Sequence, residues 1–206
     1  MLRVLRIPYS TNVERVALAL AHKGIKVEWV DVDPADRTPV REVSGQDLVP
    51  VLVEEDGAVV FDSTRILARL EERFPDPPLY PGDPARRAEV EVFLDWFNRV
   101  WKRPPNELDA ELAKPAPDAK HVEELGAELA GSRDVFEALL AGRDHLFGEF
   151  SVADCAAFPF LRYAAFAPPE ADEERFHWIL TERLQPLDAH PRLAAWIDRM
   201  ETRPRG

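Results

Sequence analysis

A serine hydroxyl at the start of a helix is the first feature of this sequence that could do chemistry. Ser10 lies in the segment Tyr9-Ser-Thr-Asn12, between a β-prone run and a stretch with helical periodicity. A hydroxyl at a helix N-terminus can donate a hydrogen bond to an anion, and the free backbone amides and the helix dipole support that role. Ser, Thr and Asn are also the usual residues that cap a helix. The segment therefore predicts either a capping serine or one that stabilises an anion.

A second polar pair, Asp62 and Ser63, precedes another helical pattern. Capping is again the simpler interpretation. In the functional interpretation, Ser63 and the neighbouring amides bind a carboxylate while Asp62 faces an ammonium group. That combination of charges is typical of a site for the head group of an α-amino acid.

The dipeptide Val49–Pro50 stands at the start of a predicted strand. Proline is tolerated there because it has no amide hydrogen to give to a sheet ladder. If the bond is cis, the backbone of Val49 turns outward, and its N–H and C=O can pair with an extended peptide. If the bond is trans, the proline simply begins an edge strand.

A fourth pattern, Ser151 with Asp154, has the spacing of a capping box, and we interpret it as structural. The single cysteine, Cys155, lies on an apolar helical face, so we expect a buried residue and not a nucleophile. One cysteine excludes an intrachain disulfide, and the five histidines have no ligand spacing, so we predict no metal site.

Alternating strand and helix signals surround the first three motifs. Short connections make a right-handed βαβ unit at the start, and Asp56-Gly57 predicts a hairpin between the last two strands. The order is β-α-β-α-β-β-α, with strands over residues 2–7, 26–32, 49–54 and 58–61, helices that end near Gly24 and Phe74, and one short helix within 34–47.

A proline-rich linker then separates this half from one without strand signals. Five prolines occur between Phe74 and Pro84, which predicts domains over residues 1–77 and 84–206 with a linker over 78–83. The second half has apolar residues at helical spacing over residues 90–101, 122–141, from Ser151 onwards and over 193–200. Pro104-Pro105 is expected to end the first of these helices and to open a loop that reaches about Lys120.

The charge balance limits the possible partners. The chain has 38 acidic and 26 basic residues, which gives a net charge of −12. Nucleic acid and anionic membranes both need a basic face, so neither is expected as the main partner. Arginines interrupt the apolar run at the N-terminus, and no stretch of about 18 apolar residues is present. We therefore expect a soluble cytoplasmic protein.

Taken in order along the chain, these motifs resemble the cytosolic glutathione transferase family. The shared features are Val49–Pro50 before the third strand, Asp62–Ser63 before the third helix, and Ser151-x-x-Asp154 after Gly-x-Phe in a helical second half. The tail His190–Pro204 also resembles the last helix of the family. The resemblance implies an α/β thioredoxin-like N-terminal domain, an all-α C-terminal domain and a symmetric homodimer.

The resemblance also implies roles for individual residues. Ser10 corresponds to the hydroxyl that hydrogen-bonds the glutathione sulfur in serine-type members, and Tyr9 is the competing candidate because other members use a tyrosine. Leu48 stands where the family commonly has Lys or Gln, and the family often has Glu at the position of Asp62. The residues implied to bind glutathione are Thr11, Asn12, Gln46, Val49, Pro50, Asp62 and Ser63.

The implied reaction is attack of the glutathione thiolate on a small hydrophobic electrophile, as in detoxifying conjugation, isomerisation or dehalogenation, without a metal. Lowering the thiol pKa from about 8.5 to about 6.5 requires roughly 2.7 kcal/mol of preference for the anion. A hydrogen bond to a charged acceptor supplies about 1.5–3 kcal/mol, and a helix N-terminus about 0.3–1 kcal/mol more. Ser10 and its helix could therefore suffice.

The walls of the electrophile pocket are expected from aromatic and basic residues, with core packing as the alternative interpretation of each. These residues are Tyr9, Trp101, Arg103, Tyr163 and Phe166. Two other functions stay open at this point. One is a non-catalytic binding protein that keeps the fold, and the other is an enzyme that uses a different low-molecular-weight thiol.

Overall fold

A four-stranded mixed sheet with three helices forms the first of two units in the computed structural model, which describes all 206 residues. Unit 1 comprises Met1–Gly82 together with Arg203–Gly206. Its elements are β1 (Arg3–Arg6), α1 (Thr11–His22), β2 (Glu28–Asp31), α2 (Thr38–Ser44), β3 (Val51–Val53), β4 (Val59–Phe61) and α3 (Ser63–Arg73). The predicted order β-α-β-α-β-β-α is confirmed.

The sheet has the strand order β2-β1-β3-β4. β1 runs parallel to β2, whereas β3 is antiparallel to both β1 and β4. Leu5 pairs with Val51, and Val51 pairs with Phe61. The ends of β1 and β4 and the start of β3 therefore lie at the same end of the sheet.

Both faces of the sheet are buried at its two central strands, β1 and β3. On one face, Leu5 and Val51 pack with Val40 of α2 in a cluster that also includes Ile7, Val32 and Val53. Alternate residues of a strand point to opposite faces, so Val4 and Leu52 face the other side, and both are fully buried as well. This two-sided burial is why β3 is apolar throughout and does not alternate with polar residues.

Unit 2, Asp83–Thr202, is helical, which confirms the predicted all-α half. A π-helical turn, Phe97–Trp101, follows its first helix, and a short 3₁₀ turn follows α8. Its helices are α4 (Pro84–Trp96), α5 (Arg103–Leu112), α6 (Ala119–Gly131), α7 (Arg133–Leu139), α8 (Val152–Leu161), α9 (Arg175–Leu184) and α10 (Pro191–Glu201).

The prediction that Pro104 and Pro105 begin a loop was wrong. Both prolines lie in the first turn of α5, and a proline is tolerated there because the first amides of a helix have no partner within it. The predicted helical run 122–141 is divided between α6 and α7 at Ser132. α9 was not predicted at all.

The capping box at the start of α8 is confirmed. Asp154 is fully buried, and its Oδ2 accepts the Ser151 amide at 2.9 Å. Its Oδ1 accepts a hydrogen bond from Trp196 Nε1 of α10 at 2.9 Å and another from the Leu146 amide at 3.1 Å. One carboxylate therefore joins the start of α8 to α10 and to the preceding loop. Cys155, the next residue, is buried as expected.

A buried lysine joins the end of α1 to the end of α3 and to the chain that follows. The Lys23 side chain is not exposed, and its Nζ lies 2.6 Å from Glu71 Oε2. The same ammonium donates to the carbonyl oxygens of Phe74 at 2.5 Å and Pro77 at 2.9 Å. These three bonds compensate for the cost of burying the charge.

The last four residues, Arg203–Gly206, pack with unit 1, although the prediction assigned them to the helical domain. The Gly206 amide donates to the Ala17 carbonyl oxygen at 3.0 Å, and Arg205 forms an ion pair with Glu14 at 2.9 Å. Contacts with α1 therefore hold this segment on unit 1. These contacts could not be predicted from the place of the segment at the end of the sequence.

None of the helices has both the length and the apolar character that crossing a bilayer requires. No group of three or more His, Cys, Asp or Glu side chains is arranged to hold a metal ion.

A buried carboxylate joins the β3–β4 hairpin to α3. The Glu54 side chain is only 3% exposed, and its Oε1 lies 2.8 Å from Arg69 Nε. Arg73 Nη1 lies 3.3 Å from the other oxygen. The hydrogen bond from Arg69, with the charge of Arg73, lowers the pKa of Glu54 despite its burial.

This ion pair predicts a pH-dependent contribution to stability. Replacing Glu54→Gln should lower the free energy of unfolding by about 1–3 kcal/mol near neutral pH, because the guanidinium groups lose their buried partner. Since the pKa of Glu54 is lowered in the folded state, the contribution is present above its ordinary value of 4.5 and is lost as the pH falls below it.

Urea unfolding of the wild type and of Glu54→Gln at several pH values checks this prediction. The matched control is Glu72→Gln, which removes an exposed partner of the same Arg69 and should change stability little. A difference between wild type and Glu54→Gln that stays constant from neutral to acid pH would contradict the assignment.

Candidate functional site

The strand register brings the first three sequence motifs to one end of the sheet. Continuing the β1–β3 ladder from Leu5 opposite Val51 places Val49 opposite Ile7, just before the loop that carries Ser10. Continuing the β3–β4 ladder from Phe61 opposite Val51 places Asp62 opposite Pro50. Neighbouring strands lie only about 5 Å apart. The loops after β1 and β4 and before β3 therefore form a single candidate site in unit 1.

Ser10 is the N-cap of α1, and it is half-buried. Its Oγ accepts a hydrogen bond from the Val13 amide at 3.4 Å. The hydroxyl donates to no group of the protein, so its proton is available to an acceptor from outside. The two interpretations of this serine are therefore compatible, because capping uses the oxygen and leaves the O–H free.

Two residues flank Ser10 in different ways. Tyr9 has a φ of +61°, a left-handed conformation that is rare for a bulky side chain, and the residue is 43% exposed. Thr11 is buried as the first residue of α1. The tyrosine thus presents an exposed aromatic ring directly beside the serine.

The Val49–Pro50 bond is cis. Val49 is half-buried and packs against the cluster that contains Leu5 and Val51, while Pro50 is buried. Val49 lies two residues before β3 and outside its ladder.

Gln46 holds the loop before this bond. Its Oε1 accepts the Leu48 amide at 2.6 Å, and its Nε2 donates to the Leu48 carbonyl oxygen at 2.9 Å and to Ser44 Oγ at 2.7 Å. The side chain of Leu48 is 75% exposed. The amide of Gln46 is therefore engaged by its own loop and fixes the backbone that enters the cis bond.

Asp62 is the N-cap of α3 and has a φ of +73°. Its Oδ1 accepts the amides of Thr64 at 2.9 Å and Arg65 at 3.1 Å. The second oxygen, Oδ2, accepts no hydrogen bond from the protein, and the residue is exposed. One carboxylate can thus cap the helix with one oxygen and meet a cation with the other.

Ser63, the first residue of α3, is linked to two residues of α1. Its hydroxyl donates to Asn12 Oδ1 at 3.4 Å and accepts from Arg15 Nη1 at 3.3 Å. Arg15 is 1% exposed and was missed by the sequence analysis. The signal available in the sequence was an arginine within the apolar stretch of α1. A charged residue at a buried position is unusual, so it is more informative than an apolar residue there.

Two of the expected electrophile contacts, Trp101 and Tyr163, are core residues of unit 2. Each is 3% exposed. Trp101 stacks on Phe97 with ring centroids 4.5 Å apart, and its Nε1 donates to Ser132 Oγ at 2.8 Å. Tyr163 stacks on His177 at 4.7 Å. The packing interpretation therefore accounts for both rings.

The remaining two candidates in unit 2 are more open. Arg103 forms ion pairs with Glu128 at 2.5 Å and with Glu107 at 3.0 Å, and the bond to Glu128 raises the pKa of its guanidinium. Phe166 is half-buried and follows the 3₁₀ turn after α8. Arg103 is thus held by two carboxylates on its own unit.

Proteins similar in sequence to this chain carry two different protein names. Over 169 residues the chain is 31% identical to glutathione S-transferase F10 of Arabidopsis thaliana, which covers 76% of this chain and 78% of the relative. Over 151 residues it is 30% identical to a stringent starvation protein A homolog of Haemophilus influenzae, which covers 71% of this chain and 67% of the relative.

Solved structures and family models give a consistent assignment. A crystal structure of a glutathione S-transferase from Rhodospirillum rubrum matches with a TM-score of 0.76 and 27% identity, over 99% of this chain and 89% of that one. The family model for the N-terminal domain of glutathione S-transferase matches residues 5–78, and the model for the C-terminal domain matches residues 119–199. The chain belongs to the glutathione S-transferase family.

Proposed function

We propose that this protein is an enzyme that stabilises the thiolate of glutathione and directs its sulfur at a small hydrophobic electrophile. The observation that carries the proposal is the Ser10 hydroxyl at the start of α1. Its oxygen accepts the Val13 amide, while its proton is given to no group of the protein. A thiolate beside this hydroxyl receives a hydrogen bond and the favourable end of the helix dipole.

The reaction follows from that placement. The thiol loses its proton to solvent, and the resulting thiolate attacks the electrophilic carbon. A carbon–sulfur bond forms, and in a conjugation with an aryl halide the halide leaves with the bonding electron pair. Ser10 donates a hydrogen bond throughout and does not ionise.

The other residues at this end of the sheet hold the rest of the tripeptide. The backbone of Val49 beside Pro50 pairs with the cysteinyl part, and Asp62 Oδ2 meets the ammonium of the γ-glutamyl part. Ser63 binds its carboxylate through its hydroxyl and its own backbone amide, because the next two amides of α3 donate to Asp62. Thr11, Asn12 and Gln46 are proposed to support the same pocket, with Gln46 acting through the loop at Leu48.

The second substrate is proposed to be a small apolar electrophile, consistent with a detoxifying reaction. Tyr9 is the candidate contact in unit 1, because its ring is exposed next to Ser10. We also infer a symmetric homodimer and a cytoplasmic location, and the family membership supports both.

A second candidate function is a non-catalytic binding protein with this fold. It is supported by the 30% identity to stringent starvation protein A homologs, whose name does not describe a transferase. The exposed Leu48, where the resemblance implies Lys or Gln, fits weaker retention of glutathione. An enzyme that uses a different small thiol is the third possibility.

Replacing Ser10→Ala tests the source of thiolate stabilisation. We expect turnover with an activated aryl chloride to fall by about 1.5–3 kcal/mol in transition-state stabilisation, roughly 10- to 150-fold. The apparent pKa of the rate should rise, because the bound thiol loses the hydrogen bond that favours its anion. Steady-state kinetics across pH measure both changes.

Tyr9→Phe is the matched control for this prediction, because it removes only the neighbouring hydroxyl. Its pH–rate profile should follow that of the wild type. If Ser10→Ala leaves the kinetics unchanged while Tyr9→Phe slows turnover and raises the apparent pKa, the tyrosine and not the serine stabilises the sulfur.

Replacing Asp62→Asn tests the contact with the ammonium group. Asparagine also caps helices, so α3 should stay folded while the negative charge is lost. We expect the affinity for reduced glutathione to fall roughly tenfold, which calorimetric titration measures. An unchanged affinity would exclude this role for Asp62. If the wild type gives no binding heat at millimolar glutathione, a non-catalytic binding protein or an enzyme that uses a different small thiol would be favoured.

A further inference from the structure

A buried guanidinium contacts the start of α3 from within unit 1. Arg15 has 1% of its surface exposed and is among the largest fully buried side chains of the protein. Its Nη1 lies 3.3 Å from Ser63 Oγ. The contact joins residues 48 positions apart in the sequence, so the packing of α1 against α3 creates it.

The hydroxyl of Ser63 is held from two directions. Arg15 donates to its oxygen, and its O–H points to Asn12 Oδ1 at 3.4 Å. Asn12 and Arg15 are three positions apart on α1, which places them on one face of the helix. Ser63 is 5% exposed, and it follows Asp62, whose φ is +73°. This hydroxyl therefore contacts two side chains of α1, and its contact with Arg15 uses only the oxygen.

We propose that Arg15 is a positioning residue that acts through Ser63 on the carboxylate of the γ-glutamyl group, an inference that rests on the proposed function. A hydroxyl whose oxygen already accepts a hydrogen bond from a cation is a better donor, because hydrogen bonds in a chain polarise one another. A carboxylate that binds at this position takes the Ser63 proton in place of Asn12 Oδ1, whose contact with the hydroxyl is long at 3.4 Å.

The cost of burying the guanidinium supports a role at Ser63. Burying a charge carries a large desolvation penalty, and an apolar side chain of similar volume would fill the position without it. The planar fork of arginine also fixes the direction of its donors, which a lysine does not do. The contact with Ser63 uses this fixed direction at the start of α3.

The test compares two thiols that differ only in the γ-glutamyl group. Glutathione and cysteinylglycine are titrated kinetically against the wild type, Arg15→Met and Arg15→Lys, with an activated aryl chloride as the second substrate. In Arg15→Met we expect the half-saturating concentration of glutathione to rise roughly tenfold, while kcat changes much less. The half-saturating concentration of cysteinylglycine divided by that of glutathione should therefore fall by the same factor. The half-saturating concentration of glutathione for Arg15→Lys should lie between the values for wild type and Arg15→Met.

A double-mutant cycle with Ser63→Ala tests whether Arg15 acts through the hydroxyl. If it does, the double variant should use glutathione about as well as Ser63→Ala alone. The matched control is Arg87→Met, which removes an arginine paired with Glu91 on the surface of unit 2 and should alter neither thiol. Circular dichroism and thermal melting of each variant establish that the protein is folded.

Three outcomes would overturn the inference. Arg15→Met and Arg15→Lys could lose activity with both thiols to the same extent, which would be a purely structural effect. The effects of Arg15→Met and Ser63→Ala on the use of glutathione could multiply, which would mean that the two residues act independently. A wild type that uses cysteinylglycine as well as glutathione would refute the head-group site itself, and with it that part of the proposed function.

Discussion

The antiparallel pairing of β3 with both β1 and β4 is the constraint on which the candidate site depends. It sets Val51 opposite Leu5 on one side and opposite Phe61 on the other. Three segments that are far apart in sequence therefore meet at one end of the sheet. A change of register by one residue would move Val49 and Asp62 away from the residues that they now lie opposite, so the strand pairing fixes the geometry of the polar site.

Capping and function share the same atoms at this site. Ser10 caps α1 with its oxygen and retains its proton, and Asp62 caps α3 with one carboxylate oxygen and retains the other. Both helices thus begin in a defined way without using up the groups that a ligand needs. The two helix N-termini also favour negative charge, which a thiolate and a carboxylate provide.

Much of the fold could be predicted because its signals are local. The β-α-β-α-β-β-α order, the capping box at Ser151 and the three polar motifs follow from periodicity and from residue types at helix starts. Pro104 and Pro105 did not indicate the start of α5, since proline both ends one helix and begins the next. Arg15 could not be placed at Ser63, because that contact depends on how α1 packs against α3.

The pKa of the thiol of glutathione bound to the wild type tests the central claim most directly. It is measured as the thiolate absorbance in the ultraviolet over a pH titration, with the free tripeptide as reference. Stabilisation at the start of α1 predicts a midpoint of about 6.5, compared with about 8.5 for a free thiol. A bound thiol that titrates at the same pH as the free tripeptide would contradict the account.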